Sequence, residues 1–128
     1  MGRVIHFEIH AEDPDRAERF YTSVFGWEVQ RYGGPVDYRL LTTGAAGEAG
    51  IDGAILQRQS PGGPADGQAV NAYVCTISVD SIEDAERSIP AAGGEQVVER
   101  MEVPGVGHLA YFKDTEGNIF GALEPTEG

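Results

Sequence analysis

A chain of 128 residues with 41% apolar side chains, one Trp, five Tyr and five Phe is long enough to bury a core and lacks the apolar-poor, charge-rich make-up of a disordered chain. Its 21 acidic residues against 9 basic ones, a formal net charge of −12, argue against the basic surface that collects nucleic-acid phosphates or anionic lipid, so neither nucleic acid nor membrane is expected as a partner. The same acidity suits a high-salt cytosol and an ordinary acidic enzyme equally well.

Read in chain order, the first segment runs directly into Val4, Ile5 and Phe7 with no signal-type apolar stretch, and no run approaches the ~20 apolar residues of a membrane helix. A cytoplasmic location is the expectation. Val4 to His10 alternates Ile5, Phe7 and Ile9 with His6, Glu8 and His10 at period two, which predicts a strand with one apolar face. Asp13 as N-cap and Pro14 at the first helical position open a helix in which Ala17, Phe20, Tyr21, Val24 and Phe25 recur at helical spacing until Gly26 stops it. That helix is expected to cover the apolar face of the strand. Trp27 to Tyr32, Tyr38 to Thr43 and Ile51 to Gln57 read as three more strands, separated by Gly33-Gly34-Pro35 and the glycine-rich stretch from Gly44 to Gly50.

The stretch from Ser60 to Gly67, rich in Pro and Gly, reads as a linker. A second series follows: a strand from Ala72 to Val79, an N-cap at Ser81, a helix shortened by Pro90 and ending near Gly93, and strands at Gln96 to Met101, His108 to Lys113 and Ile119 to Leu123. The lone cysteine, Cys75, has no internal disulfide partner, and apolar Val74 and Ile77 beside it predict a buried structural thiol.

The second series repeats the first. Adding 68 to a residue number carries Ile9 to Ile77, Ala17 to Ala85, Glu18 to Glu86, Arg19 to Arg87, Gly26 to Gly94, Val29 to Val97, Gly53 to Gly121 and Ala54 to Ala122 without a gap. The fold class is therefore α+β: one domain over 1–128, made of β-α-β-β-β modules at 3–58 and 71–125 joined by a linker at 59–70. Two modules that each leave a sheet face open are expected to pair around a cavity, and a homodimer is expected in solution.

These residues resemble the vicinal-oxygen-chelate superfamily, the glyoxalase, bleomycin-resistance and dioxygenase group. The resemblance rests on His6-Phe7-Glu8-Ile9 with Asp13-Pro14, Arg19-Phe20-Tyr21, Val24-Phe25-Gly26-Trp27, Ala91-Ala92-Gly93-Gly94 and Asp114-Thr115-Glu116-Gly117-Asn118. It implies two curved mixed sheets around a cup-shaped cavity, as in the small single-domain glyoxalase-like proteins. Metal-using members take one ligand from the first and one from the last strand of each module, and the repeat places those positions at His6, Val74, Gly53 and Gly121. Only His6 can ligate, so no cofactor is expected and the metal centre reads as lost. A one-residue slip in the last strand of the first module would instead bring Asp52 into the Gly53 position.

Alternation puts His6 and Glu8 on the face opposite Ile5, Phe7 and Ile9, which the resemblance makes the ligand-facing side. An imidazole and a carboxylate about 6 to 7 Å apart along a strand suit proton transfer next to a carbonyl, although a solvated strand face would show the same pattern. His10 continues this face, near the strand end, and is expected to be exposed. Gly53 and Gly121 are expected to open space for a small-molecule ligand. Tyr38 and His108 are candidates to polarise one of its oxygens, and Trp27 and Tyr111 to line an aromatic cleft; ordinary core packing is the competing account of both aromatics. The leading functional reading is a metal-independent lyase or isomerase acting on a small carbonyl or aromatic metabolite through His6 and Glu8. The alternative is a non-catalytic binding protein that sequesters a drug or metabolite. A third is a metal-dependent lactoylglutathione-lyase-type enzyme in which His6 recruits Glu8 and further residues outside the positions assigned above.

Overall fold

In the computed structural model, which describes residues 2–32, 34–59, 63 and 73–126, the apolar periodicities resolve into eight strands and two helices. Their order is β1 (Val4–Ala11), α1 (Pro14–Phe25), β2 (Glu28–Arg31), β3 (Tyr38–Thr42), β4 (Asp52–Gln57), β5 (Tyr73–Ser78), α2 (Ile82–Ala91), β6 (Glu95–Val103), β7 (Gly107–Lys113) and β8 (Ile119–Pro125). Both halves show the β-α-β-β-β order that the sequence implies. Most of the linker expected at 59–70 lies outside the described residues, as does Ala72 at the start of the fifth strand. No described helix is long and apolar enough to cross a membrane.

The chain forms two compact units, residues 6–74 and residues 1–5 with 75–128. This division differs from modules at 3–58 and 71–125, because the Arg3 carbonyl accepts a hydrogen bond from the Ser78 backbone at 2.9 Å and ties the start of the chain to the later unit. In the first unit β1 lies parallel to β4, and β3 pairs antiparallel with both β4 and β2. In the second, β5 lies parallel to β8, and β7 pairs antiparallel with β8 and β6, with register irregularities around Val98.

Helix α1 begins where the sequence places it: the Asp13 side chain accepts from the Arg16 N–H and Pro14 occupies the first turn. It ends at Gly26, whose φ of 72° is left-handed and whose N–H returns to the Thr22 carbonyl. Its inner face is narrower than its apolar content suggests. Ala17 and Tyr21 pack with Phe7 and Ala11 on the cluster of Ile9, Leu41 and Ile55, whereas Phe20, Val24 and Phe25 remain more than half exposed. Arg39, buried on β3, fixes the helix to the sheet through Asp15 at 2.8 Å and Glu18 at 3.1 Å while Asp37 holds its other edge at 2.9 Å. Hydrogen bonds to Asp37 lead the interactions that push the guanidinium above its ordinary basicity, against the opposing cost of burial.

Helix α2 is capped by Ser81, which accepts from the Asp84 N–H, and by Glu124, whose Oε1 accepts from the Ile82 N–H at 3.0 Å. Ile82 and Ala85 close on Ala110, Phe112 and Ala122. Pro90 sits in the last turn and the helix stops at Ala91, shortened as expected. Cys75 corrects the buried-thiol expectation. Its neighbours Val74 and Thr76 are the buried residues, so alternation turns Cys75 outward and leaves it exposed.

Candidate functional site

Strand β1 has two different faces because successive side chains point to opposite sides of the sheet. Phe7 and Ile9 go to the helix. His6, Glu8 and His10 go to the other side, next to β4, where the backbone register sets them beside Asp52, Ala54 and Leu56. Strand β3 brings Tyr38 opposite Leu56, and so onto the same face.

Four of these side chains form a continuous hydrogen-bonded row. The Tyr38 hydroxyl donates to Glu8 Oε2 at 2.7 Å, His6 Nε2 lies 2.8 Å from the same hydroxyl oxygen, and His10 Nε2 lies 3.1 Å from Glu8 Oε1. His6 and Tyr38 also stack, with their rings 15° from parallel. A carboxylate can only accept, so with Glu8 ionised the Tyr38 proton points at Glu8 and His6 Nε2 must carry the proton of its own bond. The basic atom of the His6 ring is then Nδ1. Glu8 is fully buried and Tyr38 nearly so, while His6 keeps partial exposure. Burial holds the His6 imidazole below its ordinary basicity, partly offset by the negative charges of Glu8 and then Asp52. A neutral imidazole at neutral pH, backed by a buried phenol and carboxylate, can take up a proton from a bound molecule and return it.

The structure sorts the other candidates by face. Gly53 does not open space beside His6: a Cβ there would point at the Phe7 ring, 2.6 Å away, on the helix side. Asp52, not Gly53, is the residue of that strand in register with His6. Trp27 also belongs to the helix side, stacked on Tyr21 and Phe25 and tilted against Phe7. In the second unit, a Cβ at Gly121 would meet Thr76 and Leu109, on the face away from α2. Buried Tyr111 is the cross-strand partner of Gly121. His108 alternates with Leu109 onto the α2 side. There it lines a depression with Asp80, Glu102 and Glu124, so its polar tip is not on the face that carries Gly121. His10, expected to be exposed, is instead half-buried against Glu8. The signal for it was its place two residues beyond Glu8 on the same face.

The residues do not fit the family's metal centre. Val74 and Gly121 offer no ligating side chain, the Asp52 carboxylate accepts from Thr43 N at 2.8 Å, and among the described residues no three His, Cys, Asp or Glu side chains are grouped to hold a metal ion.

Two β-α-β-β-β units, each with a parallel first and last strand, and a polar row on the face of one sheet away from its helix define a glyoxalase-like protein. The family model described as Glyoxalase/Bleomycin resistance protein/Dioxygenase superfamily matches residues 3–121, and the chain belongs to that superfamily. It is 33% identical over 128 residues to a Vibrio cholerae protein that carries the name lactoylglutathione lyase, covering 95% of this chain and 90% of that one. It is 30% identical to the Mycobacterium tuberculosis protein CFP32, which carries the name glyoxylase, over 97% of this chain; the chain spans 44% of that relative's length. Among solved structures, methylmalonyl-CoA epimerase from Mycobacterium tuberculosis shares the fold with a TM-score of 0.67 at 16% identity, over 97% of this chain and 88% of the other.

Proposed function

We propose that this protein moves a proton at a carbon next to a carbonyl of a small metabolite, as a metal-independent lyase or isomerase, with His6 as the base. The observation that carries this reading is the hydrogen-bonded row His6–Tyr38–Glu8 behind a partly exposed, neutral imidazole. When His6 Nδ1 takes the substrate proton, its Nε2 proton can pass to the Tyr38 oxygen as the Tyr38 proton passes to Glu8 Oε2. The excess proton is then stored on Glu8 and returns by the reverse path to the other face or the neighbouring atom of the intermediate. The net reaction rearranges the substrate and consumes nothing. Relatives named lactoylglutathione lyase and structural neighbours named methylmalonyl-CoA epimerase make a thioester of a small acid the first substrate class to try.

The test is exchange of the proton next to the carbonyl in lactoylglutathione and in methylmalonyl-CoA, followed by NMR in deuterated water with EDTA present. Exchange that survives EDTA and falls by roughly a hundredfold in His6→Ala and Glu8→Gln is the expected result. Exchange that disappears with EDTA and returns with an added divalent ion overturns it.

A second reading has its own support: the deep burial and mutual bonding of Glu8 and Tyr38 also suit a stiffened ligand-binding face that moves no proton. Saturable binding with no exchange in any probe would favour this sequestering role.

A further inference from the structure

We infer that His10 is a positioning residue of the same site, holding the second oxygen of Glu8 so that the first stays turned to Tyr38. This rests on the proton-transfer reading above. The geometry is direct: His10 Nε2 meets Glu8 Oε1 at 3.1 Å, while Tyr38 meets Oε2 at 2.7 Å. A carboxylate gripped at both oxygens by groups on two strands cannot rotate, and its lone pairs stay aligned with the donor that must pass it a proton. The His10 backbone is tied down as well, since its carbonyl accepts from Arg58 Nη2 at 2.8 Å. Its side chain is 19% exposed, so one edge of the row reaches solvent.

The direction of the bonds gives His10 a second consequence. Donors reach Glu8 from both sides, and every proton in the row therefore points toward this one carboxylate. His10 does not accept the travelling proton; its N–H engages Oε1 and leaves Oε2 turned to receive the proton arriving from Tyr38. The ionisable groups that bear on it include Glu8 itself, Tyr38 and His6 beyond it, Asp52 beside His6, and Arg58.

The experiment compares His10→Ala, which removes the donor, with His10→Gln, whose amide N–H can restore it, in the exchange assay across a pH series. His10→Ala is expected to lower the exchange rate by about tenfold or more, the effect of one lost hydrogen bond to a charged group. The acidic limb of its pH–rate profile should move to higher pH, and His10→Gln should bring both rate and profile back toward wild type. Unchanged rate and profile in His10→Ala, with wild-type exchange intact, overturns the role of His10 while leaving the role of His6 standing. Equal loss in both variants with an unmoved profile also overturns it, because a purely structural contact would behave that way. If wild type itself shows no exchange, the proton-transfer reading has failed, and with it the role of His10.

Discussion

The protonation of His6 ties the site to stability. Burial holds its imidazole below the ordinary value of 6.5, so as pH falls below about 6.5 the unfolded chain takes up this proton before the folded one does. The contribution is therefore fully present above that pH and is lost as pH falls through the folded value. Denaturant titrations at about pH 7.5 and 5.5 should show wild type weakening toward acid more than His6→Gln does; equal slopes would mean that burial is not opposing the charge. Tyr38 is expected to be structural as well as functional. Tyr38→Phe keeps the ring but withdraws a donor from a carboxylate that is fully buried. A loss of about 1–3 kcal/mol in denaturant unfolding is the expected result. The His6 and Glu8 pair was legible in the sequence because alternation alone puts two residues of one strand on one face. The bridging hydroxyl was not, since Tyr38 reaches Glu8 from a strand thirty residues away and only the antiparallel register of β3 and β4 decides which way it points.

At the level of strands, faces depend on register, and here a single residue reverses the reading. The parallel pairing sets Phe7 against Gly53 in the first unit but Thr76 against Gly121 in the second, whereas the repeat carries Phe7 onto Cys75. The offset of 68 thus holds for the first strands and slips by one in the last, which moves Gly53 to the helix side. Helix starts and stops were legible because caps are local chemistry: Asp13-Pro14, Gly26 and Ser81 each act within their own turn. The pairing of two strands far apart in the chain has no such local signature, so the side taken by His108 was not legible, whereas Trp27 packs with Tyr21 and Phe25 as the core-packing account of that aromatic has it. The glycines provide a check. Gly53→Ala puts a methyl 2.6 Å from the Phe7 ring and should destabilise by about 1–3 kcal/mol, as overpacking does. Gly121→Ala meets its nearest neighbour at 3.2 Å and should cost clearly less; equal losses would contradict the opposite facing of the two positions.

For the whole chain, the charge of −12 is a self-repulsion that the folded state concentrates and that dissolved ions screen. The thermal midpoint should rise as KCl increases from about 0.1 M to 1 M, and a flat response would show that paired clusters such as Arg39 with Asp15, Glu18 and Asp37 already neutralise most of it. The joining of Arg3 to Ser78 has a different kind of consequence, in the order of events at the ribosome. Residues 2–5 are made before 6–74, yet the unit to which they belong contains residues 75–128. Val4 and Ile5 must wait, unpaired by that unit, while the whole of 6–74 is made. Residues 2–5 therefore reach their final neighbours only after the later unit has been made, although they precede the whole of 6–74 in the chain.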